Sequence, residues 1–139
     1  MNFLKSLNLR SGLLGGLMCV ALVACGASGS QISMENPDFF SGRVDRDTQQ
    51  LSGTYNSSGY SEQQVRRLVA SVCQSGTLVS FGQAPADGLI RFTSTCRGGY
   101  ISGARAVEFE KTSPSNVSIE VLGSDGSGNL VFDSLQVSL

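Results

Sequence analysis

Ser61-Glu62-Gln63-Gln64-Val65-Arg66-Arg67-Leu68-Val69-Ala70-Ser71-Val72-Cys73 is the stretch on which the fold class turns. Ser61 and Gln64 match a capping box, in which the Ser61 hydroxyl accepts from the Gln64 amide and the Gln64 side chain reaches back to the Ser61 amide. Behind it, Val65, Leu68, Val69, Val72 and Cys73 fall at the spacing of one buried helical face. Arg66, Arg67 and Gln74 occupy the other faces, and Gly76 is a stop signal. The stretch therefore predicts an amphipathic helix that needs an apolar surface to cover.

The residues that follow supply that surface as strands. Thr77–Gln83 and Leu89–Cys96 flank Ala84-Pro85-Ala86-Asp87-Gly88, whose proline and Asp-Gly pair predict an antiparallel hairpin. Alternation puts Ile90, Phe92, Ser94 and Cys96 on one face, with Val79 and Phe81 placed to oppose them. A strand over 104–111 turns Val107 and Phe109 inward and Glu108 and Glu110 outward, and Val117, Ile119 and Val121 alternate in the next. In 129–138 the phase changes: Leu130 and Phe132 share one parity, Leu135 and Val137 the other. That pattern predicts a bulge near Asp133-Ser134 or a strand covered on both sides. Toward the N-terminus, residues 38–60 carry only weak strand character, with one short strand expected in 50–56. The expected fold is a single α+β domain over 38–139, one amphipathic helix packed on an antiparallel sheet of four to five strands.

Composition narrows the chemistry. The chain has no His and no Trp among 139 residues. The usual general base, the His-activated nucleophiles and the commonest metal ligand are therefore missing. No paired carboxylates and no nucleophile with a base stand out, so a non-catalytic protein without cofactor or metal is expected. Asp125-Gly126-Ser127-Gly128-Asn129 offers alternate oxygen ligands, but Gln136 stands where a calcium loop closes with glutamate, and a hairpin turn is the expected reading.

The first residues give an address. Lys5 and Arg10 precede an apolar run from Gly12 to Ala24, a basic and then hydrophobic pattern of signal-peptide length, shorter than the roughly 20 residues a membrane-spanning helix needs. Leu22-Val23-Ala24-Cys25 resembles the lipobox of bacterial lipoproteins: an apolar residue, a tolerant position, a small residue, then cysteine. The resemblance implies a diacylglycerol thioether on Cys25, cleavage just before it and acylation of the new amino terminus. An ordinary secretory cleavage, with Cys25 as one of the small residues, is the competing reading. Buried acyl methylenes contribute about 0.8 kcal/mol each, so two or three chains hold firmly where one does not. Gly26 rather than aspartate after the cysteine points, within this class, to the outer membrane and its periplasmic side. Residues 1–24 are then the signal peptide, and 25–37 a Gly/Ser-rich tether reaching about 20 Å.

Cleavage removes Lys5 and Arg10 from the ten basic residues and leaves eight against eleven acidic ones, a net charge of −3. No basic patch suggests nucleic acid. Cys73 and Cys96 remain besides Cys25, and an oxidising compartment favours a bridge between them. Helix and hairpin must bring the two together on the core side if they pair. Two separately buried thiols are the alternative. Tyr55, Tyr60 and Tyr100 all border Gly/Ser-rich turns and are the candidate partner contacts. The chain thus reads as an envelope protein held to the membrane by lipid and serving as a protein-binding accessory or assembly factor. The alternative is a small-ligand or lipid-binding module, which requires a cavity lined by Val69, Phe81, Phe92 and Phe109.

Overall fold

A computed structural model describes residues 33–139. The expected signal peptide, Cys25 and most of the expected tether lie outside the described residues. In chain order the elements are β1 (Phe40–Asp45), β2 (Gln50–Tyr55), helix α1 (Glu62–Ser71), β3 (Leu78–Ala86), β4 (Leu89–Cys96), a 3₁₀ turn (Ile101–Gly103), β5 (Ala104–Ser113), β6 (Asn116–Ser124) and β7 (Leu130–Ser138). All strand pairs are antiparallel, and the spatial order is β3-β4-β2-β1-β5-β6-β7.

This corrects the expected fold class. Over the described residues the protein is a mainly-β fold, a seven-stranded sheet with the short helix α1 laid on it, not an α+β domain with four to five strands. The strand that sequence patterning passes over is β1, which occupies the centre of the sheet between β2 and β5. Its interior carries Ser41, Gly42 and the charged Arg43, with Asp45 at its end, and gives no clear apolar alternation. Gly42 and its cross-strand partner Gly53 are small for a reason: a Cβ on Gly53 would come within 2.8 Å of Phe92 Cε1. The Phe92 ring lies over the glycine backbones and fills the room that two side chains would otherwise take.

The helix forms as its sequence predicts. Gln64 N donates to Ser61 Oγ at 3.3 Å and Ser61 N donates to Gln64 Oε1 at 2.9 Å, so both halves of the capping box are made. Val65, Leu68, Val69 and Val72 are fully buried against one face of the sheet. That face presents Phe40, Leu51, Tyr55, Phe92, Val107, Phe109, Val117, Ile119 and Val121 in a single core. Phe40 is its hub, stacked on Phe109 at 3.9 Å and edge-on to Phe92 at 5.5 Å. Such aromatic pairs add about 0.5–1.5 kcal/mol each beyond the area they bury.

The Cys73–Cys96 disulfide is formed, with Cα atoms 5.3 Å apart. It joins the end of α1 to the end of β4, and two backbone bonds flank it: Gln74 N donates to Gly99 O, and Ile101 N to Val72 O. The β3–β4 turn is tighter than expected. Both strands run to a two-residue Asp87-Gly88 turn with positive φ at each position (51° and 79°), the geometry that suits the twist of a hairpin. Val79 does not oppose the core. It sits in a register shift between Leu78 and Ser80 and is 65% exposed. Asn56 Nδ2 donates to Met34 O and Asn36 O and ties that segment to the domain.

Candidate functional site

The three tyrosines expected to meet a partner point inward. Tyr55, Tyr60 and Tyr100 are each no more than 5% exposed. Tyr100 Oη accepts from Leu51 N and donates to Ser94 O, both at 2.9 Å, so one hydroxyl bridges two residues that are cross-strand partners between β2 and β4. Tyr55 Oη donates to Gln83 Oε1, and Gln83 Nε2 donates to Glu62 Oε2, which ties β2 and β3 to the start of α1. Tyr60 donates to Asp38 O, under Lys111 Nζ at 4.6 Å from the ring centroid. Burial raises the pKa of all three, that of Tyr60 to about 12. These tyrosines hold elements together and are almost wholly buried, Tyr100 alone bordering the open cleft at Arg46 and Ser124.

The helix-side face is filled. Val69, Phe92 and Phe109 are buried in one cluster with Phe81 packed against it, and Phe109 also borders an open cleft of about 340 Å³ with Phe39, Phe40, Asp38 and Lys111. Two further clefts among the described residues are polar and open to solvent. One of about 340 Å³ lies on the opposite face of the sheet over Ser41, Arg43, Ser52, Thr54, Arg91 and Glu108. Another lies where Arg46 meets Ser124 at the end of the sheet. Beside it, the Asp125 carboxylate accepts from Ser127 N, Asn129 N and Asn129 Nδ2. Those donors, Asn129 foremost, hold its pKa below the usual range. Asp125 closes a hairpin turn with its own loop.

The opposite face of the sheet carries no second layer among the described residues, and its composition runs in zones. The registers place Gly82, Thr93, Ser52, Arg43, Ala106, Leu122 and Phe132 in one row, and Arg91, Thr54, Ser41, Glu108, Glu120 and Ser134 in the next. Hydroxyls and arginines cover the β3–β1 half. Glu108 and Glu120 stand directly opposite each other in the middle. Burial raises the Glu108 pKa, with Glu120 adding to it and Arg43 opposing.

At the far end, Phe132 is 78% and Leu130 62% exposed. The phase change in 129–138 is therefore neither a bulge nor two-sided cover. β7 pairs with β6 without interruption, Leu135 and Val137 facing the core side while Leu130 and Phe132 face solvent. The phase change was the sequence signal for this surface, because an edge strand with apolar residues on both parities has only one face to bury. No family model, no curated protein and no solved structure matches the chain.

Proposed function

We propose that this protein is a non-catalytic envelope lipoprotein, anchored through Cys25 on the periplasmic side of the outer membrane, that works by binding another protein. The signal-peptide pattern and the lipobox support the anchor. The exposure of Phe132 and Leu130 beside a filled core is the observation that supports the binding role. Large apolar side chains left in water on an edge strand are what a protein contact covers. A ligand-binding module needs an enclosed apolar space instead, and Val69, Phe92 and Phe109 use that space to pack on one another.

The anchor is tested by replacing Cys25 with Ser and following the protein by membrane fractionation and by incorporation of labelled palmitate. Loss of label together with release from the membrane is the expected result. A chain that keeps its membrane association after correct cleavage overturns the anchor. The binding role is tested with a photo-crosslinking residue at position 122, next to Phe132, in intact cells. Capture of one dominant polypeptide is expected, and labelling of lipid or cell-wall material alone rejects it.

A further inference from the structure

We infer that the surface covering β7 is β7 of a second copy of this chain, the two strands joining antiparallel across a two-fold axis into one continuous sheet. The inference rests on the protein-binding reading and names its partner. It starts from the ladder. Leu139 N donates to Ser115 O and Asp125 N donates to Asn129 O, so the odd-numbered residues of β7 turn their amides and carbonyls toward β6. Leu130, Phe132, Ser134, Gln136 and Ser138 turn theirs to the open side, where no strand lies among the described residues.

The two edges of the sheet are built differently. β3 carries the two devices that discourage pairing: the irregularity at Val79, and Pro85, which cannot donate. β7 has nine residues without proline, glycine, lysine or arginine. Its one charge, Asp133, lies on the helix-side parity and accepts from Ser102 Oγ at 2.9 Å.

The strand is also complementary to itself. With Ser134 opposite Ser134 of the second copy, all nine residues pair, Leu130 with Ser138 and Phe132 with Gln136. The five outward-turned residues of each strand then exchange about ten hydrogen bonds, two per pair. Asp133 falls opposite Leu135 of the second copy, so no like charges meet, and Val131 falls opposite Val137. Such a contact uses the same strand twice and closes on itself. Pairing of β7 with β3 would instead leave free ends and grow into a fibre, which the devices on β3 resist.

With cleavage before Cys25 as proposed above, the chain's own N-terminus is too short to supply the missing strand. Met34 Sδ lies against Gly88 in the β3–β4 turn. From β4 to β7 is five strand spacings, roughly 24 Å. Eight residues such as 25–32 span about 28 Å at most when fully extended, little more than that distance. Two anchored copies meet in one membrane, which raises their effective concentration and suits an interface of this modest size.

The test uses the full mature lipoprotein in its native membrane. Ser134→Cys, oxidised in place, is expected to give a disulfide-linked species of twice the chain mass on a non-reducing gel, while Ser80→Cys on the β3 edge stays at the mass of one chain. Phe132→Lys combined with Gln136→Lys sets like charges opposite one another. It is expected to shift the detergent-solubilised protein from dimer to monomer mass while leaving its circular dichroism spectrum unchanged. Wild-type protein at monomer mass at every concentration overturns the inference, as does equal linkage from Ser80→Cys. Linkage of Ser134→Cys to a chain of another mass overturns it too, yet leaves the protein-binding reading standing. Fractionation of Cys25→Ser reports on the anchor independently.

Discussion

Single side chains in this protein carry more than their area suggests. Tyr100 is the clearest case, since its hydroxyl satisfies a buried amide on β2 and a buried carbonyl on β4 at once. Removing that oxygen strands both groups, and a buried unsatisfied polar group costs about 1–3 kcal/mol. Tyr100→Phe is therefore expected to lower the unfolding free energy by about that amount in urea titrations, although the ring still fits. Glu108 and Glu120 act in the opposite sense. Glu108 keeps its proton to a higher pH in the folded state than in the unfolded chain. Its contribution to stability is full below the unfolded pKa and is lost as pH rises through the folded one. Glu120→Gln removes a like charge directly across the strand and should raise stability at neutral pH by roughly 0.2–1 kcal/mol. Titrations at pH 3 and pH 7 check this: the gain is expected at pH 7 and should shrink toward pH 3, as Glu108 takes up its proton.

At the scale of elements, α1 is legible because its instructions are local: a cap, a 3.6-residue apolar period and a stop all lie within Ser61 to Gly76. The β3–β4 hairpin and the alternation of β5 and β6 are legible for the same reason, and so is the meeting of Cys73 with Cys96. β1 is not, because its identity depends on a ring from another strand. Gly42 and Gly53 look like loop residues until Phe92 is seen to occupy their face. The tyrosines mislead in a related way. Their neighbours in sequence are turn residues, but their hydroxyls find partners many residues away in β2, β3 and β4. The disulfide binds the helix end to the sheet, and closing a loop of about 24 residues is worth roughly 3 kcal/mol in the chain-entropy model. Replacing Cys73 and Cys96 together by Ala should lower the unfolding free energy by about that much, measured in urea, with the far-ultraviolet spectrum retained in the absence of denaturant. An unchanged unfolding free energy would mean that the flanking backbone bonds alone secure the junction.

For the molecule as a whole, strand order matters more than strand count. The sheet consists of local hairpins joined along two distant seams, β2 with β4 and β1 with β5, where Leu51 meets Ser94 and Ser41 meets Glu108. A chain cut after Gly103 would lose β5 through β7, expose β1 as an edge and deprive Phe40 of its stacking partner Phe109. Such a chain is expected to show no cooperative urea transition and no near-ultraviolet signal from packed aromatics, whereas a sharp transition would mean that the first four strands and α1 suffice. The central position of β1 and β2 also sets an order in time. They are the first strands to leave the ribosome, and an isolated hairpin is marginal in water. The β5 strand that flanks β1 follows more than fifty residues later, a wait of about 3–10 s at ordinary rates of synthesis. During that interval β1 keeps one side unpaired, and a chain exported as proposed above gains from closing late, since a folded domain does not pass through a narrow channel.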